Sequence, residues 1–531
     1  MQTPAVSAPA LPVTLASLRP LIVALALATG TEAFTTSAVG LALPRIAAGF
    51  GASLDEISWA VTLYLAAAAV ALPLSSWLSD ILGQRRYLAG AMVAYLVASA
   101  GCLSSPTLPV FLAWRTLQGA AGSGFLARAI FTFTKEFRPP VLFRVLYLFM
   151  GAFALRALGL PIGGYLLDHL SWRWLFAVPV ILLGFGALPA LALSAEVWPR
   201  RRTPAADFTG LVLLVTGMGA LLVLLQRGQR DDWLASPVIR ALAAAALVAL
   251  PLFFWHEQRA GDRRLISAAS LRSRSMGVGV TLSFLAGLML AGGVFVLPLF
   301  LFRVIGSDGV LTGWLMSIDS FALMAGLLAA VWVFGRKLTR LLLAAAGASF
   351  AASMLLFAFR VTAGTPVGSL VLPLALHGFG VGLALPPIGI FSFRPLAGAP
   401  GLNAEGRAWH YTARLVGGVV AVAFAALLLD RRGSVHSSRL AEHLTAFDPA
   451  AQQALSSLTR GLVAHGFDPR LGRDGASFVL SRLLGRESTL LAFHDLFLVT
   501  ALVGLVVVLL TPVLPGLNAT APRPAPVRSR S

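Results

Sequence analysis

The stretch Leu490–Leu514 reads LLAFHDLFLVTALVGLVVVLLTPVL, and Leu21–Leu43 reads LIVALALATGTEAFTTSAVGLAL. Either run is long enough to cross roughly 30 Å of hydrocarbon as a helix, and comparable apolar runs recur between them. In lipid a backbone must satisfy its own polar groups, which leaves helices or a closed barrel. The alternation expected of barrel strands is missing. These runs therefore predict an all-α membrane protein, confined to moving, sensing or processing something at a bilayer.

Composition agrees. Of 531 residues 57% are hydrophobic and 12% charged, too few charges to keep a soluble domain of this size wet. The net charge of +19 would suggest nucleic acid in a soluble protein, but its placement excludes that partner. Basic residues gather at every second connection: Arg85 and Arg86, Lys135/Arg138/Arg144, Arg200–Arg202, Arg259 to Arg274, and Arg336/Lys337/Arg340. The alternate gaps hold chiefly Arg45, Arg173, Arg227/Arg230, Arg303 and Arg360. This positive-inside asymmetry predicts both termini in the cytoplasm and an even number of spans; the expected location is the cytoplasmic (inner) membrane. Cys102 is the only cysteine, so neither an intrachain disulfide nor a cysteine metal site is available. No metal or cofactor is expected. Met1–Ser17 lacks a basic n-region and a cleavage site, and reads as a cytoplasmic tail.

Fourteen spans are predicted, at about 20–44, 57–79, 87–104, 108–134, 142–167, 173–195, 208–226, 237–256, 276–302, 310–335, 339–360, 366–393, 405–430 and 490–514. They group as a tail (1–18), an N-terminal six-helix bundle (19–196), a linker with two extra spans (197–275), a C-terminal six-helix bundle (276–514) and a tail (515–531). The segment 431–489 falls outside by parity. Apolar spacing from Ser437 to His443 and from Asp448 to Leu458 predicts one or two short amphipathic helices there. Gly119, Gly122 and Gly124, like Gly378, Gly380 and Gly382, predict close backbone approach. Two pseudo-equivalent halves are the organisation of secondary transporters, whose site lies between the halves near the midplane.

Ser76-Trp-Leu-Ser-Asp80-Ile-Leu-Gly83-Gln-Arg85-Arg86 resembles the signature loop between spans two and three of the major facilitator superfamily. Asp80, Gly83, Arg85 and Arg86 match, and Ser76 replaces the opening glycine. A carboxylate and guanidiniums at a helix end can pair with charges or helix termini and hold one gate state. A merely topogenic basic loop is the alternative. Arg115-Thr-Leu-Gln118-Gly119 is similar to the superfamily's embedded arginine motif. Gly159-Leu-Pro161-Ile-Gly163-Gly164 resembles its antiporter motif, with the proline displaced by one residue. Ala42-Leu43-Pro44, Arg227 to Trp233, and Arg414-Leu-Val-Gly417-Gly418 resemble the fourteen-span drug:proton antiporter family, EmrB-like branch. That resemblance implies two six-helix bundles plus two central helices, and proton-coupled efflux of amphipathic molecules by alternating access. It also implies a periplasmic adaptor (membrane fusion protein) and an outer-membrane channel in a Gram-negative host. The segment 431–489 is then a docking surface, or a structural cap.

One departure matters. The family's first span usually carries an aspartate nine residues before the Ala-Leu-Pro proline, and here that position is Thr35. Glu32 lies one turn earlier on nearly the same face, and an acid at mid-membrane is functional by default. Glu32 is thus the expected proton site, with a static Glu32–arginine bridge as the alternative. Arg156 falls near the level of Glu32, and Arg115 lies in span four. An arginine cannot release its proton and can only modulate. Asp319 is a second proton-site candidate, His377 a switch or a neutral core residue, and His410 with Arg414 a cavity face or a partner of Asp319. Embedded arginines favour an anionic or acidic amphipathic substrate. Chemical catalysis is not expected, and no Gly-rich phosphate loop for ATP is present. Uptake or facilitated diffusion, and a non-transporting sensor or scaffold, are the alternatives.

Overall fold

A computed structural model describes residues 15–136, 141–194, 207–228, 231–261, 274–333, 338–393, 400–442, 448–512 and 514. Apart from short connections these residues are helical, and no strand occurs among them. The helices are α1 (Leu15–Phe50), α2 (Leu54–Leu82), α3 (Gln84–Ser104), α4 (Leu108–Gly122), α5 (Phe125–Glu136) and α6 (Val141–His169). Next come α7 (Trp174–Ala192), α8 (Phe208–Arg227), α9 (Pro237–Arg259), α10 (Arg274–Ile305), α11 (Gly309–Val333) and α12 (Thr339–Arg360). The last are α13 (Val371–Phe393), α14 (Pro400–Glu442), α15 (Pro449–Ala464) and α16 (Pro469–Leu510).

Eleven of the described helices are long and apolar enough to cross a membrane. The other expected spans correspond to α2, the α4–α5 pair and α6. Span four is divided because the helix breaks at Ser123–Gly124, leaving two pieces each too short to cross alone. The start of α2 follows from its sequence: Ser53 and Glu56 form a reciprocal capping box, with Glu56 N donating to Ser53 Oγ at 3.1 Å and Ser53 N donating to Glu56 Oε2 at 2.8 Å. Such a box satisfies two donors that a helix N-terminus otherwise leaves open.

Two helices widen into π turns, at Leu182–Ala187 in α7 and at Gly292–Val296 and Leu301–Ile305 in α10. The first two precede a proline by two residues, Pro189 and Pro298, and the third ends α10. A proline ring collides with the carbonyl four residues back and supplies no N–H. A wider turn relieves that collision.

The chain divides into two compact units. The first comprises residues 1–159, 169–219 and 249–267, and the second residues 160–168, 220–248 and 268–531. In the first, Leu25, Leu88, Met92, Tyr95, Phe125 and Phe133 belong to one buried cluster drawn from α1, α3, α5 and α7. Asp207 caps α8 by accepting from Gly210 N at 2.9 Å, and the same carboxylate meets His256 Nε2 of α9 at 2.9 Å. In the second unit, Leu282, Ala286, Leu343, Ala346, Leu383 and Ile388 form the corresponding core among α10, α12 and α13.

The segment 431–489 differs from the expected loop with short helices. α14 runs unbroken to Glu442, α15 covers the second predicted helix, and α16 begins at Pro469, well ahead of the apolar run. Hydropathy marks where a helix leaves lipid, not where it stops. Asp468 supplies the start of α16, accepting from Arg470 N at 2.9 Å with Pro469 in the first turn, a position proline favours.

Candidate functional site

In the first unit, the polar positions of α1, α2, α3 and α4 converge. Tyr64 Oη donates to Glu32 Oε1 at 2.9 Å. Thr36 Oγ1, one turn along α1, lies 3.1 Å from the same oxygen and 3.2 Å from Tyr64 Oη. The Arg115 guanidinium stands 4.3 Å from the centre of the Tyr64 ring, a cation–π arrangement that orients the charge toward this group. Arg115 Nη1 donates to Gln118 Oε1, Gln118 Nε2 donates to Ser99 Oγ at 2.8 Å, and Ser99 Oγ donates to Tyr95 O at 2.7 Å. Arg115, Gln118 and Ser99 are all buried. Arg156 of α6 is half-buried, and its charge and that of Arg115 both act on Glu32. A carboxyl group placed among two cations, a phenol and a hydroxyl can bond in either protonation state, so it can change charge without leaving an orphaned polar atom.

Glycine makes this approach possible. A Cβ on Gly119 would strike the Tyr64 carbonyl, and one on Gly122 would lie 2.8 Å from the Tyr95 ring and 3.1 Å from Glu32 Cγ. The arginine motif is therefore one packing unit: Arg115 lies against Tyr64, Gln118 holds Arg115, and Gly119 lets α2 come close enough. Thr35, at the position of the family aspartate, is buried and donates to Thr31 O of its own helix at 2.8 Å.

The signature loop is resolved in part. Asp80 lies in α2, and its side chain falls outside the described residues, as does that of Ser76. Gly83 joins α2 to α3 with φ 84° and ψ 148°, a conformation essentially reserved for glycine. Arg85 Nη2 donates to Ala192 O at the end of α7, in the same unit, and Arg86 is exposed. Arg85 thus meets a helix C-terminus, where cations are favoured.

The antiporter motif lies in α6. A Cβ on Gly159 would meet the Phe34 ring. Pro161 and Gly163 are buried in the same helix. Residues 160–168 belong to the second unit. There a Cβ on Gly164 would lie 2.6 Å from Gly309 O, and one on Gly313 2.6 Å from Leu160 O. These glycines set the spacing of α6 against α11.

In the second unit, Asp319 and His377 are paired, with His377 Nδ1 2.6 Å from Asp319 Oδ1. His410 is buried on α14, its carbonyl accepting from Ser283 Oγ at 2.7 Å, and the Arg414 guanidinium stands 4.8 Å from the Tyr411 ring. The partner of Asp319 is His377; the alternative with His410 and Arg414 is not what the structure shows. Sequence reading missed Tyr64, Thr36 and Ser99, and named Gln118 only as part of the arginine motif, without its role in holding Arg115. Of the three missed, Tyr64 alone carried a signal, a hydroxyl-bearing ring opening a long alanine run in span two.

The major facilitator superfamily model matches residues 25–421. The fatty acid resistance protein FarB of Neisseria gonorrhoeae is 26% identical over 501 residues, covering 93% of this chain and 95% of FarB. The multidrug export protein EmrB of Escherichia coli K12 is 27% identical over 447 residues, covering 82% of this chain and 85% of EmrB. The fold is similar to that of the xylose transporter XylE from E. coli, in a partially occluded inward-open conformation, at a TM-score of 0.57 and 11% identity over 95% of this chain and 99% of that one. The chain belongs to the Major Facilitator Superfamily, in its EmrB-like branch: it is a multi-pass membrane transport protein for small molecules, not an enzyme.

Proposed function

We propose that this protein is a proton-coupled exporter of amphipathic small molecules, acidic ones included, acting by alternating access in the cytoplasmic membrane with both termini inside. The observation that carries the reading is the Glu32–Tyr64 bond at 2.9 Å with Arg115 against the same ring. Glu32 takes the role of the aspartate missing at Thr35. When it is ionised, Tyr64, Thr36 and the two arginines hold it. When a proton neutralises it, the guanidiniums lose their counter-charge, and the conformation that the attraction favoured is weakened. Asp319 belongs to the same proton machinery in the second bundle, while His377, His410 and Arg414 border the substrate path. Asp80, Gly83, Arg85 and Arg86 act as the cytoplasmic latch. The glycines of the antiporter motif keep α6 and α11 tight, so that exchange rather than leak results.

An acidic amphiphile fits the excess of embedded arginines, and FarB is named for resistance to fatty acids. The outward extension suits an adaptor: α14 and α16 hold 43 and 42 residues, roughly 65 Å of helix each against about 30 Å of hydrocarbon. With α15 they form the docking surface for a periplasmic adaptor leading to an outer-membrane channel. The boundaries 19–196, 197–275 and 276–514 remain our reading of bundle, linker and bundle.

The test is transport in inside-out vesicles with an imposed pH gradient. Decanesulfonate, an amphiphile that stays anionic, should accumulate only while the gradient lasts and should be displaced by other acidic amphiphiles. Equilibration at the same rate with and without the gradient, and no accumulation in either case, would favour the second reading, a proton-independent facilitative carrier, for which Thr35 in the acid's usual place is the supporting observation.

A further inference from the structure

His377 and Asp319 meet in a setting built largely of backbone. His377 Nδ1 lies 2.6 Å from Asp319 Oδ1, and Nε2 lies 3.3 Å from the carbonyl oxygen of Met289 on α10. The two side chains are 2% and 1% exposed. A carbonyl oxygen only accepts, so the ring must carry hydrogen on Nε2. The contact at Nδ1 then requires one more proton. Either the ring is an imidazolium facing a carboxylate, or a neutral ring accepts from a protonated Asp319. Both descriptions place the same single proton between the side chains and leave the pair with no net charge. Without that proton, a neutral ring beside an ionised Asp319 has one N–H for two acceptors, and either the Asp319 contact or the Met289 contact is lost.

The other charged groups of the surrounding helices stand apart from the pair in sequence. Asp319 is the only charged residue of α11, and His377 the only titratable one of α13. α12 presents the Phe350 ring, its centre 5.3 Å from that of His377, while its charges Arg340 and Arg360 lie ten residues to either side. α10 carries Arg274 and Arg303 near its ends. α14 brings His410 and Arg414, and the Arg414 backbone carbonyl abuts Gly287 of α10. Against the pair itself, α10 presents glycine: a Cβ on Gly292 would lie 2.6 Å from His377 Nε2, and one on Gly293 2.9 Å from Asp319 Oδ2. Both glycines belong to the π turn Gly292–Val296, and such turns recur at functional places in helices.

We infer that Asp319 and His377 form one proton-carrying site, distinct from Glu32, that holds a single shared proton in this conformation and exchanges it with water once per transport cycle. The cycling part rests on the proton-coupled reading above. Unloading breaks one N–H or O–H bond, sends the proton to water and leaves an ionised Asp319 beside a neutral His377; loading is the reverse. Because the unloaded ring has one N–H for two acceptors, it must release Asp319 or the Met289 carbonyl, and the glycine-lined π turn of α10 is the backbone that must give.

The shared proton is read directly by 15N spectroscopy of histidine-labelled full-length protein in lipid nanodiscs, with His377→Asn assigning the signal among the eight histidines. His377 should show hydrogen on Nε2 at neutral pH, and both ring signals should move in Asp319→Asn. A bare Nε2, or signals indifferent to Asp319→Asn, overturns the shared proton. Cycling is read in inside-out vesicles as the slope of log accumulation of decanesulfonate against the imposed pH difference. Asp319→Asn should lower that slope by one, and His377→Gln, which keeps a donor for Met289 O, should do the same if the aspartate variant does not fold. An unchanged slope in the folded variants overturns the cycling role. Loss of all pH dependence in the wild type would overturn the proton-coupled reading and the cycling role together, while the ring-nitrogen signals still decide whether the pair holds one proton.

Discussion

Tyr64 on α2 donates to Glu32 on α1 at 2.9 Å, and the face of the same ring receives Arg115 at 4.3 Å. One phenol thus joins the acid and the embedded cation. Tyr64→Phe keeps the ring and removes only the donor. A hydrogen bond to a charged group contributes about 1.5–3 kcal/mol, so gradient-driven export should fall roughly tenfold or more. Folded yield should stay near wild type with a modest fall in melting temperature, whereas Tyr64→Ala should lower both rate and melting temperature further. Wild-type export by Tyr64→Phe would show that the bond plays no part.

Gly119→Val tests the close approach of α2 and α4. Its Cβ would fall on the Tyr64 carbonyl, which is backbone and cannot swing aside. Overpacking of this kind costs about 1–3 kcal/mol. The expected result is a lower melting temperature in detergent, with Gly119→Ala intermediate and Gly90→Val, which opens on free space, near wild type.

The α6–α11 spacing can be tested at Gly313, where a Cβ would lie 2.6 Å from Leu160 O. Gly313→Ala forces these helices apart by a few tenths of an ångström or more. Vesicles carrying the variant should lose an imposed pH gradient faster than wild-type vesicles while exporting more slowly. An unaltered gradient lifetime and unaltered export would show that the seam tolerates a methyl group.

Arg486 of α16 fastens the last turn of α10 and the connection after α12 at once, with Nε donating to Val304 O and Nη2 to Ala363 O, both at 2.7 Å. Arg486→Ala leaves two carbonyls without this donor and should lower stability by about 2–4 kcal/mol. Arg486→Lys has one nitrogen in place of a planar fork and should recover only part of the loss, as read from thermal melts of the purified protein.

Much of the architecture was legible because lipid makes hydropathy a direct marker of which segments span the membrane. The glycines at 119, 378, 380 and 382 also read correctly as places where a neighbouring backbone comes close, whereas those at 122 and 124 make room for side chains instead. What escaped was partnership. Glu32, Arg115, Asp319 and His377 are conspicuous as charges in apolar sequence, yet nothing in their spacing joins Glu32 to Tyr64, 32 positions away, or Asp319 to His377, 58 positions away. Those pairings depend on which faces of packed helices meet. Helix ends escaped for a related reason: the polar turns of α14 and α16 continue the ladder without lipid to mark them, so an apolar window closes before the helix does.

The central claim is that Glu32 is the group whose protonation drives transport. Its most direct test is the exchange rate of decanesulfonate for protons in inside-out vesicles bearing wild-type protein or Glu32→Gln at equal folded density. The wild type should alkalinise the lumen in step with substrate entry, and Glu32→Gln should show neither proton movement nor uphill accumulation. Proton-driven accumulation by Glu32→Gln at the wild-type rate would contradict the claim.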